Sequence, residues 1–391
     1  MTFPSPLSQP RPGAGAPIIA AAPSPAPLPV PSRRGRSASV WVIALIVLVL
    51  IGLVGYFLTA LGPVASLVGM ILALIPLAGA VVAVRIIDRW EPEPRSLLVL
   101  AVAWGAIVAV GIALAVDLAI AVVFGPVDTA ARDVFSSVIQ APLVEEFAKG
   151  LGVFVIFATA RRAFDGPVDG IVYGALVGAG FAFTENIQYF AISLIEGGVA
   201  DVSATFFVRG IMSPFAHVMF TSVTGFALGL AARRGASVRG AIGPWIAGML
   251  GAAVLHALWN GSAVLGEFFV LYLSLQVPLF AVFVIGVVAL RREEARLTKA
   301  RLGEYADAGW FTAQEVDMLA TGPGRRAALA WARTLPGGRT DAMAGFIADA
   351  TALASARQRG RTGRDPRSGE DEAVLLARTV AARKALFSAP R

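Results

Sequence analysis

Eight apolar runs, each long enough to cross a lipid bilayer as a helix, fill the chain between residues 40 and 290. They lie at roughly 40–61, 64–87, 97–123, 134–160, 170–195, 205–232, 241–262 and 268–290. About 20 apolar residues in helical form span the hydrocarbon core. Lipid offers no partner for a backbone N–H or C=O, so runs of this kind have almost no alternative to the helix. The expectation is an all-α polytopic transmembrane bundle of about eight spans. Composition agrees: 57% of the residues are hydrophobic and 15% charged, where soluble domains carry about 25% charged residues. The chain has no cysteine, which excludes disulfides, thiol nucleophiles and thiolate metal sites.

The connecting segments divide by charge. Arg33, Arg34 and Arg36, then Arg85, Arg89 and Arg95, Arg161 and Arg162, Arg233, Arg234 and Arg239, and Arg291 and Arg292 fall on one side. Asp128, Asp133, Glu196, Asp201 and Glu267 fall on the other, with Arg132 and Arg209 as its only bases. The positive-inside rule then puts both termini in the cytoplasm of a multi-pass cell-membrane protein. It also accounts for the net charge of +7 without a nucleic-acid partner. Residues 1–39 hold 10 of the 24 prolines among Ala and Ser and read as a disordered cytoplasmic tail. Residues 40–290 form the transmembrane domain. Residues 291–391, with 18 basic and 12 acidic side chains, read as a soluble, mostly helical cytoplasmic domain. Its first basic cluster is suited to anionic lipid.

Ionisable groups inside a span are costly and usually face the bundle interior, where they act. Here they are Asp117, Glu145, Glu146, Lys149, Glu185, His217 and His256, and the last two are the only histidines in the chain. Their depths coincide. Glu145 precedes Arg161 by 16 residues, Glu185 follows Asp169 by 16, His217 precedes Arg233 by 16, and His256 follows Arg239 by 17. At 1.5 Å per residue these helices set their polar groups about 24 Å from the cytoplasmic edge. One layer, toward the outer half of the membrane, holds them all. Asp117 lies nearer the outer interface and reads as a solvated end. Arg209, at the outer end of the sixth span, snorkels, pairs with an acid or polarises a substrate carbonyl.

Two imidazoles and a carboxylate with an open water position are a known zinc set. The spacing makes His217, His256 and Glu185 the candidate ligands, with Glu185 equally readable as a structural hydrogen-bond partner. Glu145 and Lys149, four apart, share a helix face and can pair, which leaves Glu146 freer to act as base with Glu145. In "HALWN", His256 and Asn260 also share a face, so Asn260 can orient the imidazole or donate to an oxyanion, with Lys149 as a second donor. Glycines 174, 178 and 180 read as close helix packing.

In order along the chain, "DRWEPEP", "EEFAK", "FAFTEN", the lone histidine after "RGIMSPFA", and "HALWN" resemble the PrsW family of bacterial intramembrane proteases over roughly residues 64–290. More distantly the order is similar to the CAAX prenyl endopeptidase and bacteriocin-processing superfamily. The resemblance implies metal-dependent peptide hydrolysis in the membrane by Glu145, Glu146, Glu185, His217 and His256. It implies a membrane-anchored substrate, an anti-sigma factor in known members, cut outside the membrane. A metal-free mechanism, in which glutamate and histidine activate water, is the alternative in the related superfamily.

Two other readings remain at this stage. Buried Glu, Lys and His also build proton-coupled transporters or channels, although a relay runs along the membrane normal and these groups share a layer. A catalytically inactive scaffold would use the same polar layer to hold helices together.

Overall fold

The computed structural model describes residues 33–125, 129–264, 266–362 and 368–387. The proline-rich tail up to residue 32, and Asp128, lie outside the described residues. All regular structure is helical: α1 (Arg33–Tyr56), α2 (Pro63–Ile87), α3 (Arg95–Ala103), α4 (Val110–Phe124), α5 (Ala130–Phe135), α6 (Ala141–Thr159), α7 (Pro167–Phe206), α8 (Ala216–Arg233), α9 (Ile242–Val264), α10 (Phe268–Leu271), α11 (Val277–Asp307), α12 (Ala313–Ala320), α13 (Gly322–Thr334), α14 (Thr340–Arg361) and α15 (Ser368–Phe387). Short π-helical turns join α3 to α4 (Trp104–Ala109), α5 to α6 (Ser136–Gln140) and α10 to α11 (Tyr272–Gln276), and another, Phe207–Met212, follows α7.

The chain divides into two compact units, Pro31–Val288 and Ala289–Arg391. The first is a multi-pass membrane bundle. Among the described residues, six stretches are long and apolar enough to cross a bilayer, where the sequence pattern gives eight. The difference has two physical sources. Helix α6 carries Glu145, Glu146 and Lys149 within a few residues, too much charge for a low-charge span. Residues Pro167–Arg233 form a single 67-residue stretch, because its two limbs join at a helical bend and not at a loop.

That bend is at Gly198, with φ 67° and ψ −148°, a region essentially reserved for glycine. Beyond it the chain returns antiparallel to α7. The Ser193 and Thr205 hydroxyls lie 2.8 Å apart, the Phe190 and Phe206 rings 5.7 Å apart, and Arg209 reaches Glu185. Residue numbers fall on one limb as they rise on the other, the mark of a hairpin. The returning limb is interrupted at Ser213–Phe215, before α8 begins at Ala216.

Helix α7 is the most enclosed element of this unit, buried nearly continuously from Pro167 to Phe181. Glycine makes its contact with α8 possible. A Cβ on Gly174 would lie 2.6 Å from the Thr221 carbonyl oxygen, and one on Gly178 only 2.2 Å from that of His217. The expected close packing through Gly174 and Gly178 is therefore with α8, while Gly180 meets the Val102 carbonyl of α3.

The second unit has its own core, in which Leu302, Tyr305, Phe346, Leu353 and Leu376 are buried. The Tyr305 hydroxyl donates to Glu372 at 2.6 Å, and Arg357 Nε to Glu304 at 2.7 Å. Helix α12 starts on a capping box: Thr312 Oγ1 accepts from Glu315 N (3.1 Å), and the Glu315 carboxylate accepts from Thr312 N (2.8 Å). The Gly-Pro-Gly sequence opens α13, with Pro323 in the first turn, where its missing N–H costs nothing.

Candidate active site

Helix α6 brings three ionisable side chains to one place because Lys149 follows both Glu145 and Glu146 by about one helical turn. Lys149 is fully buried. Its Nζ lies 3.1 Å from Glu145 Oε2, 2.7 Å from Glu146 Oε1 and 3.0 Å from His217 Nδ1. An ammonium has three N–H groups, and here each has an acceptor. The Phe181 ring covers the same nitrogen at 3.9 Å. Two indoles brace the helix on either side of Lys149: Trp104 Nε1 donates to Ala148 O at 3.0 Å and Trp245 Nε1 to Gly150 O at 2.8 Å.

The two glutamates have different surroundings. Glu146 is fully buried. Its Oε1 takes Lys149 and lies 3.1 Å from His256 Nδ1, while its Oε2 accepts from Thr221 at 3.0 Å. Glu145 lines a cavity of about 620 Å³ that also opens onto Glu185, Arg209, His217, His256 and Asn260. The carboxylate beside open space is thus Glu145, where helix spacing alone favoured Glu146 as the freer one.

Because Lys149 can only donate, His217 Nδ1 accepts, so His217 Nε2 carries the proton and donates to Glu185 Oε2 at 2.9 Å. Glu185 Oε2 also pairs with Arg209. His256, stacked on Phe220 with ring centroids 5.1 Å apart, turns Nδ1 to Glu146. Its Nε2 is then the nitrogen left for the cavity, the carboxylate–histidine arrangement that orients metal-binding imidazoles. The two imidazoles stand edge to face with centroids 4.9 Å apart.

Among the described residues, Glu145, His217 and His256 each offer a ligand atom within 4.8 Å of one another. The donor types match a His₂Glu zinc set. Three carboxylates here face the two fixed cations Lys149 and Arg209, a formal charge of −1 that suits a further cation. By donor type and charge the residues fit a divalent metal, with Glu145 in the place that the sequence pattern gave to Glu185; His217 would give it the Nδ1 lone pair that Lys149 now holds. Glu185 instead spends one oxygen on both Arg209 and His217.

Two residues differ in setting from the sequence expectation. Asn260 lines the cavity, but its Nδ2 gives one of its two N–H groups to the Ser137 carbonyl at 2.8 Å. Asp117, exposed as a solvated end would be, accepts from Gln140 Nε2 at 3.1 Å and lines the same cavity. Arg209 is at the level of Glu185, not at a span end, because the Gly198 hairpin folds it back. Thr221 was not singled out in the sequence, although its position four residues after His217 places both on one face of α8.

The model of the PrsW family of intramembrane metalloproteases matches residues 93–286. Three relatives, each named Protease PrsW, align over parts of the chain. That of Geobacillus kaustophilus (strain HTA426) is 31% identical over 144 residues, 37% of this chain and 58% of the relative. That of Oceanobacillus iheyensis is 36% identical over 92 residues, 24% of this chain and 39% of the relative. That of Bacillus subtilis (strain 168) is 37% identical over 97 residues, 25% of this chain and 40% of the relative. The chain therefore spans less than two thirds of each relative's length. No solved structure matches it.

Proposed function

We propose that the chain, whose residues 93–286 match the model of the PrsW family of intramembrane metalloproteases, is an endopeptidase of that family that hydrolyses a peptide bond of a membrane-anchored protein. One observation carries the reading: Glu145, Glu185, His217 and His256, from four helices, line one cavity, and Lys149, buried beneath them, joins Glu145 to His217. A proton relay would be strung across the membrane, whereas this cluster is compact.

Glu145, His217 and His256 are the residues that would hold zinc. A zinc ion there supplies Lewis-acid polarisation of the scissile carbonyl. The chain's own groups do the rest. Glu146 fixes the His256 tautomer, and Glu185 fixes that of His217. With zinc in place, Glu185 is the remaining cavity-lining carboxylate of the cluster and takes the proton of the attacking water. The same carboxylate returns the proton to the leaving amine nitrogen.

The Lys149 contacts favour a second form of the mechanism. The ammonium already serves as the cation between Glu145 and His217, so in a metal-free site Glu145 itself accepts the proton. Its Oε2 is steadied by Lys149 and its side chain lines the cavity.

The layer's outer-half depth supports cleavage near the extracytoplasmic face, with eight spans and both termini in the cytoplasm. The substrate class is a single-span protein, an anti-sigma factor by the family resemblance, presented as an unwound juxtamembrane segment.

The test uses full-length protein in lipid vesicles with a library of single-span reporters, each carrying a fluorophore and quencher around its outer juxtamembrane segment. Cleavage is expected, with loss of signal in Glu145→Gln. Absence of cleavage across the library, or undiminished cleavage by Glu145→Gln, overturns the reading. Elemental analysis of the purified protein separates the two forms: one zinc per chain in the first, none in the second.

A further inference from the structure

A peptidase site must meet the negative charge that develops on the scissile carbonyl oxygen, and it does so with donors fixed before the reaction. This site makes that demand severe, because three carboxylates already surround it. Of the two donors that sequence spacing offers, Lys149 is spent and Asn260 is half spent. All three Lys149 N–H groups are taken by Glu145, Glu146 and His217, and the side chain is fully buried. The Asn260 amide nitrogen gives one of its two N–H groups to Ser137 O at 2.8 Å and is uncharged.

Arg209 is different. Its Nε donates to Asn186 Oδ1 at 2.8 Å, its Nη2 pairs with Glu185, and its guanidinium lies 3.9 Å from the centre of the Tyr189 ring. These anchors, at positions 185, 186 and 189 of α7, hold the plane of the group in one orientation. Neutralising Glu185 would take one contact; three fix a geometry. Nη1 has no partner among the described residues, and the side chain lines the cavity. The Glu185 oxygen that Arg209 holds is the one that His217 Nε2 contacts at 2.9 Å. The unspent donors therefore sit one carboxylate away from the reacting groups.

Resting on the peptidase reading above, we propose that Arg209 is a catalytic residue whose Nη1 binds the scissile carbonyl and stabilises the tetrahedral oxyanion. The water oxygen forms a bond to the carbonyl carbon, and the C=O π pair moves onto the oxygen that faces Nη1. The water proton passes to the carboxylate base. When the C–N bond breaks, the oxygen pair re-forms C=O and that proton goes to the leaving nitrogen. Arg209 stays protonated throughout. Its position is a product of the Gly198 hairpin, which explains why a residue apparently at a helix end takes part in the chemistry.

The experiment measures kcat and KM for Arg209→Lys, Arg209→Gln and Arg209→Gly with a cleaved reporter in vesicles, alongside thermal unfolding of each variant. The expected result is a fall in kcat of about 10²–10³-fold, the usual cost of losing one oxyanion donor, with KM little changed. Arg209→Lys remains slow, because a flexible point charge does not reproduce the held plane. Added ethylguanidinium restores kcat of Arg209→Gly in a saturable manner. Full kcat in Arg209→Lys, a rise in KM alone, or a folded Arg209→Gly that ethylguanidinium does not rescue overturns the proposal. If Arg209→Gln or Arg209→Gly does not fold, kcat of Arg209→Lys decides. Failure of the wild-type protein to cleave any reporter overturns the peptidase reading itself, whereas active wild type with active Arg209→Gln overturns only the role of Arg209.

Discussion

The Nζ atom of Lys149 lies 3.0 Å from Nδ1 of His217, inside a bundle where the ammonium is fully buried and the imidazole nearly so. An ammonium has no lone pair, so this contact fixes the tautomer of His217 and, through it, the bond to Glu185. Lys149 is the hub of the site.

Removing that hub exposes its role. Lys149→Met keeps much of the volume but leaves Glu146 buried with no cation beside it. Breaking a buried ion pair from one side costs about 3–5 kcal/mol. A lower unfolding midpoint and loss of reporter cleavage are expected. A variant that unfolds like the wild type would show that the ammonium is not what compensates the buried carboxylates.

Gly178 sets the distance between α7 and α8. A methyl group there would lie 2.2 Å from the His217 carbonyl oxygen, which is backbone and cannot swing aside. Gly178→Ala should force the helices apart, at about 1–3 kcal/mol for overpacking, and stretch the His217–Glu185 contact. Reporter cleavage is expected to fall by more than unfolding does. Wild-type kcat in this variant would show that α8 adjusts without moving His217.

Gly198 holds the hairpin that returns Arg209 to Glu185. With φ at 67° and ψ at −148°, a side chain there is strained by about 1–3 kcal/mol. Gly198→Ala should lower stability and weaken the Arg209–Glu185 pairing. Disulfide trapping between cysteines placed at Ser193 and Thr205, whose hydroxyls lie 2.8 Å apart, reports the hairpin directly. Undiminished cross-linking in Gly198→Ala would show that the bend does not depend on glycine.

Glu93 links pH to stability outside the spans. Burial, then the nearby Asp169 charge, with smaller effects of Glu91 and Asp88, push its carboxyl from 4.5 up to about 11, against the opposing Tyr173 hydroxyl at 2.5 Å. The folded state keeps the proton while the unfolded chain releases it above 4.5. Stability from this group is therefore full below 4.5 and declines as pH rises toward 11. The slope is at most about 1.4 kcal/mol per pH unit. Glu93→Gln removes the loss, so the stability difference between variant and wild type should widen in the variant's favour from pH 5 to 8. A pH-independent difference would show that Glu93 titrates normally.

Much of the candidate site is legible in the sequence. Glu145, Lys149, Glu185, His217 and His256 stand out because each is an ionisable residue in an apolar run, and their matching distances from span ends follow from helical rise alone. Other features were not legible. Spacing on α6 puts Glu145 and Lys149 on one face but says nothing about which glutamate meets the cavity. Asn260 shares a face with His256, yet the Ser137 carbonyl, from a distant turn, takes one N–H of its amide.

The sequence by itself determined the membrane bundle, the ionisable residues at one depth and the family resemblance, because hydropathy and helical rise act along one dimension of the chain. The tertiary structure decided which of those groups touch. It seated Lys149 among three acceptors, gave Glu145 the cavity and carried Arg209 back to Glu185. Those outcomes depend on how helices rotate and approach, and backbone contacts such as Gly178 against His217 set them between residues far apart in sequence.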